Sequence, residues 1–251
     1  MITATAPSDW RDLQAQVARI LAECGFDVDV EKAISLPRGS VEIDVFARES
    51  NQGRTNTLVC ECKHWAKRVP QSVIHAFRTV VAETGANTGY VVSRSGFQQG
   101  ARAAAVSTNV EPVTWEAFQE RFEETWLRTF FFPTITSSLD PLLTYAEPFT
   151  PTWFPRLSEA DQSRFLTLRR RYLPFTVLVE VHFTTRTRIL RGESYRPDLP
   201  IATWAPEALE ASNEIPSAIL QARGYRELLE ASLSFGHEGI AEFRQLRDRA
   251  R

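Results

Sequence analysis

Residues 41–63 read VEIDVFARESNQGRTNTLVCECK, and the fold turns on them. Two apolar runs, 41–48 and 57–63, flank the polar segment ESNQGRTN at 49–56. Apolar–polar alternation marks half-buried strands, and a polar, glycine-containing segment between them marks a hairpin loop. In the first strand Val41, Ile43 and Val45 take one face, while Glu42, Asp44 and Phe46 take the other. In the second, Val59, Glu61 and Lys63 share a face opposite Leu58, Cys60 and Cys62. Paired through the loop, the strands bring Asp44 near Glu61 and Lys63. Both carboxylates stand in otherwise apolar runs, and burying them is costly unless something compensates their charge. A divalent cation plus one lysine would do so. The plainer reading is a same-face Glu61–Lys63 ion pair with Asp44 solvated.

Elements on either side extend the pattern. Residues 9–24 carry Leu13, Val17, Ile20 and Leu21 at helical spacing, with Asp9 as N-cap and Gly25 at the end. Residues 26–34 alternate as a strand, and residues 37–40 form a turn. Pro70 opens a helix to about Glu83, with Ile74, Phe77, Val80 and Val81 inward. TGYVVS at 88–93 is a strand, 96–107 an alanine-rich helix, 110–113 a short strand, and 115–130 a helix anchored by Trp115, Phe118, Phe122 and Trp126. The first 130 residues thus run α-β-β-β-α-β-α-β-α, which predicts an α/β fold: a mixed central sheet flanked by helices on both faces. Five prolines between 133 and 156 mark a connector over 131–156. Residues 157–251 read as a mainly helical C-terminal region: a helix over 158–172, an ambiguous run at 176–183, and helices over 205–251 broken near Pro216 and Gly236.

The 251 residues carry 29 basic against 31 acidic groups, so a global basic field is excluded and nucleic-acid binding would rest on local patches. Three cysteines do not make a disulfide framework, and no apolar run reaches the roughly 18 residues of a membrane span. With no signal-peptide layout at the start, a cytoplasmic location is expected. Only Lys32, Lys63 and Lys67 are lysines; the other 26 basic residues are arginines. A lysine retained in so arginine-rich a chain points to Lys63 as needed for its compact ammonium.

An acidic residue closing one strand and Glu-x-Lys ending the next resembles the PD-(D/E)XK nuclease core: here Ile43-Asp44, then Glu61-Cys62-Lys63. The surroundings resemble the Mrr-type restriction endonucleases. Leu13-Gln14-Ala15-Gln16-Val17-Ala18 with Leu21 and Gly25-Phe26 matches their first helix, and Lys63-His64-Trp65 their K-x-W. Val91-Val92-Ser93 and Gly96-Phe97-Gln98-Gln99-Gly100-Ala101 match a strand ending in serine and a following G-F-x-x-x-A segment. The resemblance spans roughly residues 10–120. Gln14 stands where the pattern has glutamate, and Ile43 where it has proline; neither change removes the carboxylate pair or the lysine, so activity is expected to survive.

The resemblance implies a restriction-endonuclease-like fold and a Mg²⁺-dependent DNA endonuclease with a role in restriction or defence. Mn²⁺ is an allowed substitute, and products would carry 5′-phosphates. Asp44, Glu61 and the backbone carbonyl of Cys62 would hold the metal, which takes oxygen ligands. Lys63 would orient and help deprotonate the attacking water or stabilise transition-state charge. The implied substrate is double-stranded DNA, cut by a homodimer. Gln14 reads first as a surface glutamine and second as a water-mediated support to the metal ligands. Ser93 and Gln98 flank a strand-to-helix junction and are either phosphate contacts or simple caps. Lys67-Arg68 would favour a polyanion, His75 is a weak phosphate candidate, and Cys60-x-Cys62-x-His64 lacks a fourth ligand for zinc. Arg169–Arg171 and Arg186, Arg188 and Arg191 are DNA contacts or solvated faces. Two other functions fit the residues: a nuclease-fold nucleic-acid-binding module that no longer cuts, and a structure-specific repair nuclease.

Overall fold

The computed structural model describes residues 1–36, 39–51, 53–183, 196–203 and 213–251. It divides into two compact units, Thr5–Thr129 and Met1–Ala4 with Phe130–Arg251. The readings at Arg186, Arg188 and Arg191 lie outside the described residues.

The first unit is a mixed five-stranded sheet in the order β1 (Asp27–Leu36), β2 (Gly39–Asn51), β3 (Arg54–Lys63), β4 (Thr88–Ser93) and β5 (Val110–Thr114). Strands β1 to β3 are antiparallel, and β3, β4 and β5 are parallel. Parallel neighbours need crossovers, supplied by α2 (Gln71–Thr84) and α3 (Gln99–Ala105). Helix α1 (Trp10–Glu23) starts at Asp9, whose side chain accepts the Asp12 amide. Helix α4 (Trp115–Trp126) follows β5 directly, capped by Thr114.

The two faces bury different stripes. Val59 and Val91 pack with Ile74, Phe77 and Val81 of α2 and Ala101 of α3. Tyr90, one residue from Val91, meets Phe118 and Phe122 of α4 edge-on. Helix α2 lies close because residue 89 has no side chain: a Cβ there would sit 2.3 Å from Val81 Cγ2. The predicted polar loop at 49–56 is largely strand, since the β2–β3 ladder runs on to Asn51↔Arg54. Backbone pairing does not require apolar side chains, so the hydropathy pattern stopped short of it. The helix expected over 96–107 is only the seven residues of α3.

The second unit is helical where described: α5 (Phe132–Ala146), α6 (Glu159–Leu178), α7 (Ser217–Leu220) and α8 (Tyr225–Arg249), with a π-helical turn at Val179–Phe183; another, Leu127–Phe131, spans the boundary between the units. Two local expectations are corrected. Residues 132–146 are helix rather than irregular arm: Pro133 lies just after the π-helical turn that ends at Phe131, and buried Ile135, Leu139 and Leu142 hold the helix through Pro141. Gly236 does not break α8; it faces Leu139, and Gly239 faces Leu142 and Tyr172, so the two glycines admit close helix packing. No described helix is long and apolar enough to cross a membrane.

Candidate active site

Asp44 sits at an interruption in the sheet. Pairing of β1 with β2 passes from Val30↔Val45 to Lys32↔Ile43, and Glu31, at φ 53°, does not pair with Asp44. On the other side, the β2–β3 ladder ends at Val45↔Cys60. Both ladders therefore leave Asp44 out. Strict alternation, which put Ile43 and Phe46 on opposite faces, fails here: both pack in one cluster with Val59. The phase changes at Asp44, whose backbone is free of the pairing that enforces it.

Two hydrogen bonds hold Asp44 instead. Gln14 Nε2 donates to its carbonyl oxygen at 2.8 Å, and its own Oδ2 accepts the Cys62 N–H at 2.7 Å. The carboxylate thus replaces the strand backbone as the partner of β3. Lys63 presents its carbonyl to the β4 side, where it accepts the Arg94 N–H at 3.1 Å. Successive strand residues turn their polar groups to opposite edges, so Cys62 turns both N–H and C=O toward Asp44.

Glu61 and Lys63 follow on the same strand and form a direct ion pair through Oε1 and Nζ. The ammonium also lies 5.3 Å from the centre of the half-exposed Trp65 ring. Burial pushes the Glu61 carboxyl above its ordinary range, the neighbouring Asp44 charge adds to this, and Lys63 pulls the other way. These groups stand at the carboxyl ends of parallel β3 and β4, where Lys63 pairs with Ser93. Ligand crevices of α/β sheets form at such ends.

The donor set suits a hard divalent cation. Among the described residues, Asp44 Oδ1 and Glu61 Oε2 accept no hydrogen bond, and the Asp44 charge lies close enough to oppose the ionisation of Glu61. A bound cation would relieve that repulsion, and Asp44, Glu61 and the Cys62 carbonyl are the oxygens that would hold it. Among the described residues no three His, Cys, Asp or Glu side chains gather as a metal group.

The remaining candidates are placed as follows. Gln14 is 2% exposed, which corrects its reading as a surface glutamine. A signal for this was present: Gln14 lies three, four and seven residues before buried Val17, Ala18 and Leu21, on the inward stripe of α1. Ser93 is buried and donates to the Gly96 carbonyl at 3.1 Å, so it braces the turn after β4. Gln98 is exposed at the start of the seven-residue α3, where its backbone N–H reaches Val69. His64 Nε2 lies 3.0 Å from the Pro7 carbonyl, tying the segment before α1 to the segment after β3. Cys60 and Cys62 are buried thiols, both pushed up by burial. Lys67, Arg68 and His75 are exposed. In the second unit, Arg171 pairs with Glu238 and Glu242, and Arg169 reaches the Glu147 and Pro148 carbonyls.

Residues 6–122 match the family model of the Mrr catalytic domain, described as a restriction endonuclease. The match stops short of α5 and the helices after it. No curated protein matches the chain. A solved structure described as a protein of unknown function, AF1548, is similar at 18% identity and a TM-score of 0.40, covering 48% of this chain and 66% of that one.

Proposed function

We propose, from the match of residues 6–122 to the Mrr-type restriction-endonuclease domain, that the protein is a divalent-metal-dependent DNA endonuclease whose catalytic groups are Asp44, Glu61 and Lys63. The observation that carries this reading is the hydrogen bond from the Cys62 N–H to the Asp44 carboxylate. It ties the acidic residue of β2 to the strand segment holding Glu61 and Lys63, although the ladder between the strands has already ended.

Mg²⁺ is the proposed ion, with Mn²⁺ as substitute, held by Asp44, Glu61 and the Cys62 carbonyl. Bound there, a divalent cation supplies polarisation of the scissile phosphate and acidification of water. Lys63 orients the attacking water and stabilises charge growing on the phosphate, with the Trp65 face and Glu61 keeping its ammonium in place. Exposed Lys67 and Arg68 attract the phosphate backbone. The substrate is double-stranded DNA, the products carry 5′-phosphates, and the setting is restriction or defence in the cytoplasm. One such site per chain suits a homodimer for cutting both strands.

The test is plasmid nicking with Mg²⁺ and with Mn²⁺, on methylated and unmethylated DNA, for wild type, Lys63→Ala and Asp44→Ala. The expected result is cleavage by wild type and a loss of roughly 10²–10⁴-fold or more in each variant. DNA retained in a gel shift without cleavage under any of these conditions would replace this reading with a binding module.

A further inference from the structure

Gln14 is the buried polar side chain that touches Asp44, and it does so through the backbone. Asp44 belongs to neither ladder: Glu31 turns away at positive φ on one side, and pairing with β3 stops one residue earlier on the other. A strand carbonyl left unpaired in the interior needs a donor. Gln14 Nε2 is that donor, at 2.8 Å, from a side chain only 2% exposed on the packed face of α1. The same residue then offers its carboxylate to the Cys62 N–H. Helix, strand end and carboxylate form one chain of contacts: α1 through Gln14 to the Asp44 carbonyl, and Asp44 Oδ2 to β3.

We propose that Gln14 is a positioning residue, whose amide replaces the missing strand partner of Asp44 and so sets where the Asp44 carboxylate meets the metal. The inference rests on the metal-nuclease reading above. The chemistry demands a donor. An ionised glutamate of the same size accepts hydrogen bonds only and would face the Asp44 carbonyl with like polarity. Glutamine is therefore matched to this site, and replacing it by the family's glutamate is expected to harm it.

The test uses the full-length chain with Gln14→Met, which keeps length and packing without the amide, and Gln14→Glu, with Asp44→Ala as control. Three quantities are read: hydrogen exchange of the Cys62 amide without metal, Mn²⁺ affinity by calorimetry, and kcat and KM for DNA cleavage. Both Gln14 variants should exchange the Cys62 amide faster, bind Mn²⁺ roughly 10–100-fold more weakly and lose kcat with KM for DNA unchanged. Unfolding in EDTA identifies any variant that does not fold; if the methionine variant fails, Gln14→Glu carries the test. Wild-type exchange and Mn²⁺ affinity in Gln14→Met, with Mn²⁺ binding lost in Asp44→Ala, would overturn this inference alone. Tighter Mn²⁺ binding in Gln14→Glu would overturn it by making position 14 a ligand position. Mn²⁺ affinity retained in Asp44→Ala would overturn the nuclease reading itself, and this inference with it.

Discussion

At the residue scale, Glu61 shows how the candidate site trades stability for chemistry. Burial and Asp44 both disfavour its charge, so the folded chain keeps the Glu61 proton to higher pH than the unfolded chain does. Its contribution to stability is then fullest below the ordinary value of 4.5 and is lost as pH rises through the raised value. Glu61→Gln removes a charge that the metal-free protein holds at a cost. The variant is expected to be more stable than wild type near pH 8 in EDTA, with the gain shrinking toward pH 4.5, while Mn²⁺ binding falls. Thermal unfolding across that range decides it; a variant less stable than wild type at pH 8 would mean that the Lys63 pair outweighs the burial. The carboxylate pair and the lysine were legible as residue types in apolar strands. The role of Gln14 was not, because a polar residue on a buried stripe shows its purpose only when its partner, thirty positions on, is known.

At the element scale, the parallel half of the sheet depends on how closely α2 can lie on β4. Gly89→Ala would drive a methyl group into Val81 and Phe77, both buried and packed from other sides. The expected loss is about 1–3 kcal/mol in urea unfolding, the usual range for overpacking a core. An unchanged midpoint would show that α2 can shift outward freely. The order of elements from α1 to α4 was readable because each strand and helix here keeps its own period over several residues. Strand length was not: β2 and β3 continue through residues whose side chains favour a loop, held by the ladder itself. The alternation around Asp44 also misled, because period two holds only while a strand is paired on its neighbours.

At the scale of the whole molecule, the chain's first residues belong with its last. The Met1 and Ile2 carbonyls accept the Tyr225 and Arg226 N–H groups at the start of α8, at 3.3 and 2.8 Å. Glu227 returns the contact, accepting from Thr3 Oγ1 at 2.5 Å and the Ala4 N–H at 3.1 Å. A helix leaves its first N–H groups without internal partners, and here a distant segment supplies the acceptors. Glu227→Ala is expected to speed hydrogen exchange at Tyr225 and Arg226 and to lower stability by about 1–3 kcal/mol. Unaltered exchange at both amides would show that residues 1–4 are held by other contacts. Such a pairing across more than two hundred positions leaves no periodicity to read.

The sequence by itself determined the order of strands and helices in the first unit, the helical character of the second and the residue types of the proposed carboxylate–lysine set, since period, caps and residue type are local properties. Tertiary structure alone decided where the ladders stop, that Asp44 is held by Gln14 and Cys62, that glycines in α8 are packing surfaces, and that residues 1–4 cap a helix near the other end. Each of these depends on which backbone groups lack a partner, and that is settled only when distant segments meet.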